Sequence, residues 1–164
     1  MSSYVIKPME TEAEIYGKGY VHFKSCHEAY AGLIDAEYLN NMTEEKCKKT
    51  AHKWTDNILV AKDGNKVIGF VGYGANSDDT LTDCGEVFAL YVLAEYHGKK
   101  VGFELMNAAF EKLTGYKKIT LWVLKGNDKA IGFYERYGFV FDGTEKEIVL
   151  GTPNTKMRMI YEKK

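Results

Sequence analysis

Glu86-Val-Phe-Ala-Leu-Tyr-Val-Leu-Ala-Glu-Tyr-His-Gly-Lys-Lys-Val-Gly-Phe-Glu-Leu-Met106 holds two periodicities joined by a turn. Glu86 to Val92 is short, apolar and rich in β-favouring side chains, which predicts a mostly buried strand. From Gly102, the spacing of Leu105, Met106, Ala109, Phe110 and Leu113 predicts an amphipathic helix lasting until Thr114-Gly115. Between them, Glu95 to Gly102 carries two glycines and two lysines. Glycine lets backbone approach a ligand closely, and the free amides of a helix's first turn attract phosphate. The stretch is a candidate phosphate cradle at a strand–helix junction. An ordinary βα connection would carry the same two glycines.

A second stretch, Asn127-Asp-Lys-Ala-Ile-Gly-Phe-Tyr-Glu-Arg-Tyr-Gly-Phe139, predicts a capped helix that ends at Gly138. Asn127 has the side chain of a helix cap. Ala130, Ile131 and Tyr134 then fall on one helical face, where the small Ala130 leaves room for a ligand beside the Tyr134 phenol. The competing reading makes Phe133, Tyr134 and Tyr137 packing aromatics.

Around these stretches, Tyr4-Val-Ile-Lys is a strand stopped by Pro8. Thr11 caps a first helix whose start is weakened by Gly17 and Gly19 and which Gly32 ends. Ala36 to Asn41 is a short second helix, and Thr43-Glu-Glu opens a third that runs to about Trp54. Asn57 to Lys62 and Lys66 to Tyr73 form a hairpin across Asp63-Gly64-Asn65. Gly74 to Cys84 is polar and loop-like. Lys117 to Leu124 and Phe139 to Asp142 are strands, Gly151-Thr-Pro-Asn is a turn, and a last strand covers Lys156 to Tyr161. The order implies an α/β (α+β) fold with a central mixed, mostly antiparallel sheet and helices on both faces.

With 164 residues, 45% hydrophobic and 27% charged, the chain reads as one globular domain over residues 1–164. Its net charge of −1 provides no global field for nucleic acid or an anionic membrane. No apolar run reaches the length of a membrane span. The amino terminus lacks signal-peptide features, and Cys26, Cys47 and Cys84 form no paired framework, so a reducing cytoplasm is the expected compartment.

Both quoted stretches resemble the GNAT N-acetyltransferase superfamily. There, a strand ending Leu-Tyr-Val is followed by Gln/Arg-x-x-Gly-x-Gly/Ala at a helix start; Leu90-Tyr91-Val92 and Gly102 match. His97 stands where Gln or Arg is usual, and Lys100 replaces the first glycine. A lysine enters a positive-φ conformation only at a cost, which puts the loop geometry in question. The second stretch matches Asn-x-x-Ala-x-x-Phe-Tyr-x-x-x-Gly-Phe throughout. His27-Glu-Ala-Tyr30-Ala-Gly32-Leu33 and Tyr38-Leu39 resemble the first helices of a subgroup, with His27 at a position usually occupied by Trp.

The resemblance implies acetyl transfer from acetyl-CoA to a primary amine of a small molecule or peptide, by direct attack in a ternary complex. It implies that main chain at Leu90, Tyr91 and Val92 faces the pantetheine arm, where backbone N–H stabilises developing negative charge. The loop His97, Gly98, Lys99, Lys100, Val101, Gly102 and Phe103 would hold the pyrophosphate. Asn127, Ala130 and Phe133 would line the cofactor channel, and Tyr134 would protonate the departing CoA sulfur. Glu86, six residues before Val92 and read as lying on the same strand face, is the candidate general base. Tyr30, Tyr38 and Trp54 border the implied acceptor pocket, with Glu86 also on the substrate side. Homodimers are common in the family.

His22 and Cys26, four apart on a helix, would suit a metal, but further ligands do not accompany them, so no metal is expected. Two other readings stay open. One is a non-catalytic acyl-CoA-binding regulatory module, and the other is a nucleotide-binding α/β protein using the same loop.

Overall fold

The computed structural model describes residues 3–76 and 81–163. Seven strands form one sheet: β1 (Val5–Pro8), β2 (Ile58–Asp63), β3 (Lys66–Ala75), β4 (Cys84–Val92), β5 (Lys118–Leu124), β6 (Val140–Leu150) and β7 (Thr152–Glu162). Their spatial order is β1-β2-β3-β4-β5-β7-β6. Among the described residues only the β4–β5 pair is parallel, so the sheet is mixed and mostly antiparallel, as expected.

Helices α1 (Glu12–Tyr30), α2 (Ala36–Asn41) and α3 (Glu44–Lys53) precede β2; α4 (Val101–Lys112) and α5 (Asp128–Tyr137) flank β5. Val21 of α1 packs with Ile58, Val60, Val67 and Phe70 on one face of the sheet. Val101, Leu105, Met106 and Ala109 of α4 pack with Ile68, Val71, Ile119 and Leu121 on the other, and α5 adds Ala130, Phe133 and Tyr134 to that side.

Thr11 caps α1 in a full capping box with Glu14. The helix is continuous through Gly17 and Gly19, and the reason is close approach. A Cβ at Gly17 would meet Val67 at 2.5 Å, and one at Gly19 would meet the Lys48 backbone at 2.7 Å. The glycines let α1 lie directly on β3 and α3.

The last two strands are longer than expected and meet at Gly151. A register shift between Phe141 and Glu145 breaks the alternation of β6, and its exposed run Glu145-Lys146-Glu147 hides the strand signal. In the Gly74 to Cys84 connection, β3 extends to Ala75, and residues 77–80 lie outside the described residues.

Candidate active site

β4 and β5 pair only from Cys84–Lys118 to Glu86–Thr120. Beyond that, β4 stays with β3 to Val92 while β5 stays with β7 to Leu124, so a wedge opens between them. Its cause is local. The β3–β4 register shifts between Gly72–Ala89 and Tyr73–Val87, leaving Phe88 as an extra residue, a β-bulge that bends the strand.

Main-chain polarity along the wedge follows from two bonds. Leu93 N donates to Ile68 O of β3 at 2.9 Å, and Val92 O accepts from His97 Nε2 at 2.9 Å, on the side away from β3. By alternation, Leu90 and Val92 turn their main-chain groups toward the wedge, whereas Tyr91 turns its own toward β3. Two of the three residues expected to expose backbone therefore do so; Tyr91 does not.

The bulge also revises Glu86. Val87 packs in the α4-side core with Leu90 and Val92, so its neighbour Glu86 points to the α1 face. Glu86 and Val92 are on opposite faces, because one extra residue shifts the two-residue alternation expected of a regular strand. Glu86 is buried, at 5% exposure.

After β4, the chain makes a short 3-10 turn over Ala94–Tyr96 and enters α4 through Gly98 at φ 81° and Lys100 at φ 67°. Lys100 thus occupies the left-handed conformation that its side chain was expected to resist, and the turn is kept at the cost of strain. The loop is anchored all round. Tyr96 donates to Asp63 at 2.7 Å, Lys66 pairs with Glu95 at 2.8 Å, and Ala94 N donates to Glu28 at 3.2 Å. His97 adds a clamp across to α5, since Lys129 Nζ lies 2.8 Å from its Nδ1. An ammonium can only donate, so Nδ1 accepts and Nε2 carries the hydrogen given to Val92 O.

Glu104 N is the first α4 amide bonded within the helix, to Lys100 O at 2.9 Å, and the Lys100 side chain makes no cap. The amides of Val101, Gly102 and Phe103 precede it at the positive end of the helix, beside Lys99 and Lys100. A Cβ at Gly102 would meet the Phe133 ring at 3.4 Å, so the glycine brings the α4 start against α5.

Asn127 caps α5 through Oδ1, which accepts from Ala130 N at 3.4 Å. Tyr134, one turn beyond Ala130, packs near Phe133 and Phe139. Burial, and then the neighbouring Tyr30, hold its phenol well above the ordinary tyrosine range, so it stays protonated. Tyr30 belongs to α1 and Tyr134 to α5, on opposite faces of the sheet. The wedge lies between them, and across it Tyr30 acts on the Tyr134 phenol electrostatically.

On the α1 side, Lys18, His22, Cys26 and Tyr30 recur every fourth residue and face the sheet as a column. The His22 ring lies 5.4 Å from that of Tyr91, and Lys18 Nζ lies 5.5 Å from the Phe70 centroid. Burial drives the Tyr91 phenol well above its usual range, with Tyr30 and Cys26 as its polar neighbours. Burial also pushes Cys26 up to about 12 and lowers Lys18 to about 8. Lys18 Nζ donates to Trp54 O at 2.8 Å. The every-fourth-residue spacing was visible in the sequence, but its meaning depended on Tyr91 lying opposite.

The other expected pocket residues separate. Tyr38 lies at the β6–β7 turn, where a Cβ on Gly151 would meet its Cβ at 2.8 Å, and Trp54 lies against Phe88 with ring centroids 5.8 Å apart. Tyr30 is the one of the three that reaches the wedge. Among the described residues no cluster of three or more His, Cys, Asp or Glu could hold a metal, and no helix is long and apolar enough to cross a membrane.

A seven-stranded mixed sheet with a wedge beside an uncapped helix start is the fold of an N-acetyltransferase. The chain belongs to the acetyltransferase (GNAT) family, whose model matches residues 20–139, and its class is that of an acyltransferase. It is 29% identical over 150 residues to the Bacillus subtilis uncharacterized N-acetyltransferase YuaI, covering 82% of this chain and 84% of that one. It is 34% identical over 133 residues to an uncharacterized N-acetyltransferase of Methanocaldococcus jannaschii, covering 76% of this chain. The chain spans 55% of that relative's length. In fold it is similar to the PaiA N-acetyltransferase of Thermoplasma acidophilum, solved with coenzyme A, at 22% identity and a TM-score of 0.75 over 99% of each chain.

Proposed function

We propose that this protein binds acetyl-CoA and passes its acetyl group to a primary amine by direct attack, with both substrates bound together. The observation that carries the reading is the wedge, because it opens the sheet between the uncapped start of α4 and Tyr134 on one face and Tyr30 on the other. Acetyl-CoA supplies an activated thioester. The amides of Val101, Gly102 and Phe103, with Lys99 and Lys100, suit its diphosphate. Leu90 and Val92 N–H groups suit the arm and the carbonyl oxygen on which charge develops. The chain's residues thus fit the cofactor.

In this reading the amine enters from the α1 face, bounded by Tyr30, with Tyr38 further out on the rim. Glu86 is on that face and takes the proton of the attacking amine through water. The Tyr134 phenol, kept protonated, returns a proton to the sulfur as the carbon–sulfur bond breaks.

The test is thermal shift with CoA and turnover of acetyl-CoA against an amine panel. Melting temperature should rise with CoA concentration, because a ligand selective for the folded state stabilises it. CoA thiol should appear only when amine is present. Binding without turnover would identify an acyl-CoA-binding module, and no shift at saturating CoA would end the reading.

A further inference from the structure

Trp122 is on β5 two residues beyond Thr120, so it shares the α1 face with Thr120 and with Glu86, the register partner of Thr120. The ring is half-buried and three cations gather on it. Lys156 Nζ lies 4.8 Å from its centroid, Lys146 Nζ 5.0 Å and the Arg158 guanidinium carbon 5.9 Å. They come from paired positions: Trp122 faces Arg158 across β5–β7, and Lys146 faces Lys156 across β6–β7.

Arg158 is buried, at 8% exposure, and is held by Asp142 and Thr144. Lys146 and Lys156 have no carboxylate at ion-pair distance among the described residues. Like charges placed directly opposite on a sheet are destabilising. An aromatic ring attracts cations but leaves their mutual repulsion in place. An oxyanion between the two ammonium groups would offset it.

We propose that Trp122, Lys146 and Lys156 form an oxyanion subsite for the acceptor, so that the acetylated amine carries a carboxylate or phosphate group. The proposal rests on the acetyl-transfer reading above. It extends that reading to the substrate class. β5 borders the wedge, Lys156 is on β7 one strand further and Lys146 on β6 two strands further, so at about 4.8 Å per strand the anion sits roughly 5–10 Å from β5. A short amino acid or an aminoalkyl phosphate has that reach. A cationic polyamine would meet repulsion.

The experiment uses matched acceptors. β-Alanine and phosphoethanolamine are compared with β-alaninamide and ethanolamine, each with acetyl-CoA. Acetylation should favour the anionic member of each pair by at least about tenfold in kcat/KM, a difference of roughly 1.4 kcal/mol. The pair with the larger preference identifies carboxylate or phosphate as the anion. Lys146→Gln/Lys156→Gln should abolish the preference by raising KM for the anionic acceptor, with KM for acetyl-CoA unchanged and the melting temperature raised as the facing charges are removed. A direct reading comes from Trp54→Phe, which leaves Trp122 as the sole tryptophan of the two in the chain. Its fluorescence should change saturably with the anionic amines in the presence of CoA and not with the neutral ones.

If amines are acetylated but neutral acceptors are used as well as anionic ones, or the double variant keeps the preference, the subsite is overturned and acetyl transfer stands. If CoA neither shifts melting nor supports turnover, the acetyl-transfer reading fails, and the subsite as part of an acceptor site fails with it.

Discussion

Tyr134 and Tyr30 come from helices on opposite faces of the sheet, and Tyr134 is the α5 aromatic whose phenol Tyr30 influences electrostatically. Phe133 packs against Gly102, and Tyr137 donates to Asn107 at 2.6 Å, both on the α4 side. Replacing Tyr134 by Phe keeps the ring and removes the proton. The expected loss is in kcat, roughly ten- to ten-thousand-fold, with little change in acetyl-CoA affinity or melting temperature. Single-turnover rates are the measurement, because slow product release would mask the defect. A rate equal to that of the parent protein would reduce Tyr134 to packing.

At the scale of the element, the β4–α4 junction combines a 3-10 turn and two left-handed residues within one connection. Gly98 adopts its positive φ freely, whereas Lys100 at φ 67° is strained. A left-handed L-residue costs about 1–2 kcal/mol, and the extra freedom of glycine in the unfolded chain takes back about 0.4–1 kcal/mol. Lys100→Gly should therefore raise unfolding free energy by up to about 1.6 kcal/mol in chemical denaturation, and Lys100→Ala should not. If Lys100 also contacts diphosphate, the glycine variant gains stability while losing CoA affinity and part of its salt dependence. Equal stability of the two variants would remove the strain argument.

For the molecule as a whole, Glu14 joins α1 to the sheet edge. It is buried, at 2% exposure, and accepts from Lys7 of β1 at 2.7 Å and Lys62 of β2 at 3.1 Å, as well as from the amides of Glu10 and Thr11. Burial opposes its charge, but the bonds from Lys7, the two amides and Lys62 outweigh that and hold it far below the ordinary 4.5. The sign follows from linkage. A depressed folded pKa contributes stability that is fully present above about 4.5 and is lost as pH falls toward the folded value. Glu14→Gln should lower stability at neutral pH by on the order of 1–2 kcal/mol, moderated by the solvent access of its lysine partners, and should flatten the acid limb. Melting curves from pH 7 to pH 3 check this; parallel curves for the two proteins would refute it.

What the sequence by itself determined was decided within a turn or two of chain. Thr11 and Asn127 carry cap side chains, α2 runs from Ala36 to Asn41 as its pattern reads, and of the stripe Leu105, Met106, Ala109, Phe110 and Leu113 all are buried but Phe110, which is half-buried. The two motifs carried the family for the same reason, since each is a contiguous run. Tertiary structure decided the rest. Phe88 becomes an extra residue only against the register of β3, and that one insertion turns Glu86 to the other face and bends β4 away from β5. Lys100 holds a glycine conformation because its loop is anchored by Asp63, Lys66, Glu28 and Lys129, residues distant in sequence. Trp122 meets Lys146 and Lys156 through strand order, with β7 inserted between β5 and β6. Side-chain chemistry and periodicity are local properties, whereas face, register and strand neighbour exist only once separate strands have paired.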